Sequence, residues 1–154
     1  MTRVVGAGTG DIHATVETRL RASGQRYTGQ RRRIVDILVR AGNPLAITEI
    51  MRGRKDLAQS SVYRNLSGLE HAGVVRRVTT DDEFGLYELT EDLTGHHHHL
   101  ICRSCGRVQD LPLPADLERA LDRTLDRVAA DAGFAEVGHR LDLIGLCADC
   151  AARL

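Results

Sequence analysis

Four cysteines and a run of four histidines are the residues of this 154-residue chain whose types and spacing can do chemistry. Cys102-Arg-Ser-Cys105 and Cys147-Ala-Asp-Cys150 are two C-x-x-C pairs with 41 residues between them. Each pair turns two thiolates toward one point, and two such knuckles complete a tetrahedral four-sulfur shell that selects zinc. With every position filled by protein such a site is structural, and metal binding and folding become one event. The same spacing also serves disulfides, an iron–sulfur cluster or a thioredoxin-like redox pair. The last needs its motif at a helix start in a βαβ setting, which this sequence lacks.

His96-His97-His98-His99 runs straight into the first knuckle. If the run begins a strand that ends at Cys102, His97 and His99 share one face and His96 and His98 the other. One strand can then serve two separate metal sites. Candidate partners elsewhere are Glu88, Asp110, Glu118 and His139. The bland alternatives are a solvated histidine stretch and, for His139 among apolar neighbours, a satisfied core histidine. Mixed nitrogen and oxygen donors suit zinc, iron, manganese and nickel nearly equally by type.

The elements that must position these residues follow from periodicity. Ile12, Val16 and Leu20 mark a helix over 11–22, after a Gly-rich terminus read as frayed. Thr28 is a plausible N-cap for a second helix whose core face is Ile34, Leu38 and Ala41, closed by Gly42-Asn43-Pro44. A short helix, ITEIMRG, is capped by Thr48 or led by Ala46. In QSSVYRNLSGLEHAG a cap at Ser60 or Ser61 opens a helix with Val62, Leu66 and Leu69 on one face. Its opposite arc carries Ser60, Tyr63, Arg64, Ser67 and His71. After Gly73, VVRRVT, a TDDEFG turn and LYELT read as a hairpin. Helix, short helix, longer helix, hairpin is the order of a winged helix-turn-helix.

EDLTG is a polar connector. Beyond it HHHHLICR and RVQDL read as strands flanking the knuckle. A helix over 115–133 carries the stripe Leu117, Leu121, Leu125 and Val128, and FAEVGHRLDLIGLC reads as a half-buried strand. The stripe is a candidate dimer contact or a cover for the domain's own sheet. The fold class is α+β: a winged-helix domain over 1–90, a hinge over 91–95, and a small α/β dimerisation domain with zinc knuckles over 96–154.

The formal net charge is zero, which at first argues against a nucleic-acid partner. Residues 1–80, however, hold 14 Lys+Arg against 6 Asp+Glu, and residues 81–154 hold 7 against 15. That asymmetry is itself a sign of a basic nucleic-acid-binding part joined to something else. No run of apolar residues is long enough for a spanning helix, and no secretory signal is recognisable, so a cytoplasmic setting without membrane contact is expected.

Together these residues resemble the ferric uptake regulator (Fur) family of metal-dependent bacterial repressors over roughly 12–154. The carriers are Arg26-Tyr-Thr28-Gly-Gln30-Arg31, Ser61-Val-Tyr63-Arg64-Asn-Leu66, Ala72-Gly-Val-Val75, HHHHLICRSCG and the terminal G-x-C-x-x-C. The resemblance implies a homodimer that binds a double-stranded, A·T-rich palindromic operator when metal is bound. It implies structural Zn2+ at Cys102, Cys105, Cys147 and Cys150. A sensor site maps onto Glu88, His97, His99 and Asp110, and a third site onto His96, His98, Glu118 and His139. The regulatory metal is Fe2+ or Zn2+ ahead of Mn2+ or Ni2+. Arg26 is implied in the minor groove and Tyr63 and Arg64 in the major groove, with Thr28, Gln30, Arg31, Ser60 and Ser61 in the same DNA-facing segments. Many members add a sensor histidine where this chain has Asn43-Pro44-Leu45; His13 or water replaces it, or the site stays four-coordinate. A peroxide sensor of the same family, a zinc enzyme and a zinc-ribbon scaffold are the competing readings.

Overall fold

The computed structural model describes residues 9–56, 58–78 and 85–153. They form two compact units, one ending at His96 and the other beginning at His97.

The first unit begins with α1 (Thr9–Ala22), α2 (Gly29–Ala41), β1 (Leu45–Ala46) and α3 (Ile47–Met51). α4 (Gln59–His71), β2 (Val75–Val78), β3 (Leu86–Leu89) and α5 (Glu91–Thr94) complete it. α2 starts where Thr28 is extended and its hydroxyl accepts from the Arg31 amide at 3.4 Å. It stops at Gly42, whose φ of 63° admits no branched side chain without strain. In α3 the Glu49 carboxylate accepts from the Ala46 amide at 2.8 Å, so Ala46 leads the helix. α4 begins two to three residues earlier than expected. Ala58 is its N-cap, and Ser60 and Ser61 lie in the first turn, because the Ala58 carbonyl already accepts from Ser61 and Val62.

Val62, Leu66 and Leu69 of α4 are all at most 1% exposed and pack with Val16, Leu20, Ile34, Val35 and Ile50. The sheet has order β1-β3-β2, all antiparallel. β1 is a third strand that two residues in a Pro-Leu-Ala context did not announce. The TDDEFG turn lies largely outside the described residues. The segment EDLTG, read as a polar connector, is a helical turn whose Leu93 is buried in the first unit's core. Burying one leucine among four polar residues draws the backbone into that turn.

The second unit comprises β4 (His98–Cys102), β5 (Val108–Leu111), α6 (Ala115–Asp131), β6 (Asp142–Gly145) and α7 (Ala148–Ala151). β4 is central, antiparallel to β5 and parallel to β6. The strand expected over 134–147 forms only at Asp142–Gly145. Before it the chain bends at Glu136, which takes a φ of 53°. Among the described residues of this unit only His98, His99, Ile101 and Cys102 are buried. The α6 stripe stays uncovered, with Leu117, Leu125 and Val128 at 46%, 37% and 61% exposure.

Candidate metal centres and nucleic-acid interface

β4 delivers Cys102 to the first knuckle. The Cys102 amide donates to the Arg107 carbonyl at 2.8 Å and the Gly106 amide to the Cys102 carbonyl at 2.9 Å. Gly106, at φ 71°, makes that reversal possible. From the second knuckle the Cys147 amide donates to the Cys102 sulfur at 3.3 Å, and Cys105 and Cys147 sulfurs lie 3.8 Å apart. One ligand atom from each of Cys102, Cys105, Cys147 and Cys150 lies within 4.8 Å of every other. A tetrahedral zinc with Zn–S of about 2.3 Å needs sulfurs about 3.8 Å apart, so the donor set fits the ion. Backbone donors from Cys147 and Cys105 pull the Cys102 thiol down to about 6. The Arg107 amide also favours the Cys105 thiolate. Hydrogen bonds to the other three sulfurs outweigh it and push that thiol up to about 11. An ion pair between Arg107 and Asp149 at 2.8 Å ties the two knuckles from outside.

A second donor set lies in the same unit. His98, 2% exposed, places Nε2 at 3.0 Å from Glu118 Oε2, and His139 Nε2 is 3.1 Å from Glu118 Oε1. The two imidazoles stack with centroids 5.2 Å apart. Separations near 3 Å between donors suit one ion with bonds of about 2.1 Å, and two nitrogens with a carboxylate admit zinc, iron or manganese. Asp122 steadies His139 from behind, 3.3 Å from Nδ1. His96 ends the first unit, where its Nδ1 meets Glu91 Oε2 at 2.7 Å.

The strand expected to begin at His96 begins only at His98, so His97 precedes β4; its ring meets that of His99 edge to face with centroids 5.0 Å apart. His99 is 1% exposed, and its Nδ1 lies 3.0 Å from Asp142 on β6. Asp110 pairs with His99 across β4 and β5, yet it is exposed, and Asp142 is the carboxylate on the ring. Glu88 belongs to the first unit. It is 5% exposed on β3 and held by Arg76 of β2. His13 is engaged elsewhere: Nδ1 meets the Tyr27 hydroxyl at 2.5 Å and Nε2 meets Asp36 at 3.0 Å.

The DNA-facing candidates cluster in the first unit. Arg26, Thr28, Gln30, Ser60, Tyr63 and Arg64 are exposed, Tyr63 to 48%, and Ser61 is half-buried. Thr28, Gln30, Ser61 and Arg64 line one concavity of about 590 Å³ with Arg33 and Asn65. Arg31 turns the other way. Its guanidinium donates to the Arg26 carbonyl at 2.7 Å and to Gln25 Oε1 at 2.6 Å, while Gln25 reaches the Gly68 carbonyl on α4 at 3.1 Å. Burial lowers the pKa of Arg31. It braces Arg26 from within.

Arg76, Glu91, Asp122 and Asp142 escaped sequence reasoning, since each acts through a partner that only strand register or helix packing supplies.

The ferric uptake regulator family matches residues 22–144. The chain is similar to the ferric uptake regulation protein of Neisseria meningitidis, 29% identical over 140 residues, which are 88% of this chain and 92% of that protein. It is 30% identical to the peroxide operon regulator of Bacillus subtilis, over 92% of this chain and 94% of that one. The Helicobacter pylori ferric uptake regulator, described as having three functional metal-binding sites, shares the fold with a TM-score of 0.74. Identity to it is 24%, covering 98% of this chain and 97% of that chain. The family match spans most of both units, from the end of α1 to β6, and the chain belongs to the ferric uptake regulator family.

Proposed function

We propose that this protein is a metal-responsive transcriptional repressor that binds operator DNA as a homodimer, with metal as corepressor. The observation that carries it is β4. One strand sends His98 into a nitrogen–carboxylate donor set, turns His99 to the opposite face beside the ring of His97, and ends in a four-thiol shell. The same chain bears a helix-turn-helix with exposed Tyr63 and Arg64.

Zn2+ at Cys102, Cys105, Cys147 and Cys150 is the structural ion of this reading. Glu88, His97, His99 and Asp110 are the ligands of the regulatory ion in this reading, Fe2+ or Zn2+ ahead of Mn2+ or Ni2+. His98, Glu118 and His139 form the third site, with His96 as its fourth member. A divalent ion there would supply the charge to hold two imidazoles and a carboxylate together. Because Glu88 belongs to the winged unit and the histidines to the other, an ion held by all of them would couple the two units and shift the population toward the geometry that binds it. In that geometry the α4 helices of a dimer lie on successive major-groove turns. Tyr63 packs on thymine methyls, Arg64 contacts guanine or phosphate, and Arg26 enters a narrow A·T-rich minor groove. The protein is a regulator, not an enzyme. Among the described residues no helix is long and apolar enough to cross a membrane.

The test is fluorescence anisotropy with an A·T-rich palindromic duplex, titrated with anaerobic Fe2+, Zn2+, Mn2+ and Ni2+. At least a tenfold gain in DNA affinity is expected with one of them. His97→Ala and His99→Ala should lose that gain while elemental analysis still finds zinc at the cysteines. No metal dependence would sink the reading. Likeness to the Bacillus subtilis peroxide regulator favours a second one, in which Fe2+ at the same ligands senses peroxide. Mass spectrometry would then find one added oxygen on His97 or His99 after peroxide treatment of the Fe2+ form.

A further inference from the structure

β2 and β3 set Arg76 and Glu88 directly opposite each other. Arg76 Nε lies 2.5 Å from Glu88 Oε1, and Arg76 Nη1 lies 2.9 Å from Glu91 Oε1. The guanidinium is 13% exposed and the Glu88 carboxylate 6%. The other Glu91 oxygen meets His96 Nδ1 at 2.7 Å. One cation thus serves two carboxylates where little water reaches, and all four residues lie in the first unit.

We propose that Arg76 is the resident cation of the Glu88 site and sets the metal concentration at which that site responds. The inference rests on the reading of Glu88 as a regulatory ligand. A carboxylate this buried needs a positive partner, and Arg76 is one that an ion-free protein always has. Guanidinium does not give up its proton in the accessible pH range, so its hold does not fade as a lysine's or histidine's would. When Glu88 turns an oxygen to a divalent ion, it shares its charge between two cations that repel each other. The ion therefore binds against Arg76. Without the guanidinium, Glu88 and Glu91 lose the cation they share, and a divalent ion then meets less positive charge at Glu88.

Mn2+ affinity, measured by calorimetry on full-length protein with zinc kept at the cysteines, tests this. Arg76→Gln should bind Mn2+ at least tenfold tighter, about 1.4 kcal/mol. Arg76→Lys keeps the charge without the two-carboxylate fork and should fall between. Ion-free Arg76→Gln should melt below wild type, and Mn2+ should raise its Tm by more. Glu88→Gln should lose the Mn2+ equivalent that Arg76→Gln tightens, while any Mn2+ at His98, Glu118 and His139 remains. If Glu88→Gln loses it but Arg76→Gln binds no tighter, Arg76 does not compete and the inference is overturned alone. If Glu88→Gln binds Mn2+ like wild type, the ligand assignment fails and takes the inference with it. Should Arg76→Gln not fold, Arg76→Lys decides: an affinity no tighter than wild type overturns the proposal.

Discussion

Cys105 keeps its proton to about 11 whereas Cys102 releases its own near 6, although the two thiols share one knuckle. Amides from Cys147 and Cys105 favour the Cys102 thiolate, and the neighbouring sulfurs then hold a proton on Cys105. A zinc ion entering at pH 7.5 must expel the Cys105 proton but finds Cys102 already ionised. Zinc binding should therefore release at least one proton, and apparent affinity should rise about tenfold per pH unit for each proton released through the neutral range. Calorimetry of the metal-stripped protein in buffers of different ionisation enthalpy counts the protons; a count of zero contradicts the assignment. The cysteines were legible in the sequence because a knuckle is local: four residues and a glycine make it. The same holds for the alternation of His98 and His99. Asp142 and Arg76 were not legible, because their roles come from being opposite His99 and Glu88 across strands. A register one residue off would face them the other way.

α4 carries Ser60, Ser61, Tyr63 and Arg64 of the proposed DNA-facing residues, and its apolar face was plain from Val62, Leu66 and Leu69 at helical spacing. Its start was not: Ala58 has no capping side chain, and two serines nearby offered better chemistry on paper. Gly68 holds further information. A Cβ there would stand 2.4 Å from an Arg31 guanidinium nitrogen and 2.6 Å from Gln25 Oε1. In an exposed helix interior, Gly→Ala gains up to about 1 kcal/mol from propensity. At Gly68 the methyl displaces the ends of two flexible side chains instead of backbone, so the fold survives and the brace beneath Arg26 opens. Gly68→Ala should therefore leave unfolding free energy within about 1 kcal/mol of wild type, while affinity for the A·T-rich duplex falls several-fold. Chemical denaturation and anisotropy read the two quantities separately. A loss of stability that tracks the loss of DNA binding would show Gly68 to be a packing position only.

At the scale of the whole molecule, the charge contrast falls inside the first unit: residues 81–96 add six acids and no Lys or Arg, so residues 1–96 hold 14 Lys+Arg against 12 Asp+Glu and residues 97–154, the second unit, hold 7 against 9. That second unit has too little buried surface to stand alone. Leu100 and Leu143 are register partners on neighbouring strands, 40% and 43% exposed, and Ile144 on the sheet edge is 60% exposed. With the α6 stripe they leave more apolar surface than a monomeric unit of this size usually shows. β6 is also an edge strand with unpaired backbone groups on one side. A second copy of the chain answers both needs, since a two-fold axis pairs the same surface with itself. Ile144 faces away from Leu143 across β6, and Val128→Asp and Ile144→Asp each place a carboxylate on exposed apolar surface of the second unit without disturbing a buried residue. Both should sediment as monomers at micromolar concentration where wild type sediments as a dimer, with cysteine-bound zinc retained. Their affinity for a palindromic duplex should fall at least tenfold, because two linked contacts become one. Binding to a single half-site should hardly change, and that contrast matters most: loss on both duplexes would mean damage to the winged unit, whereas loss on the palindrome alone identifies the apolar face of the second unit as the contact between copies.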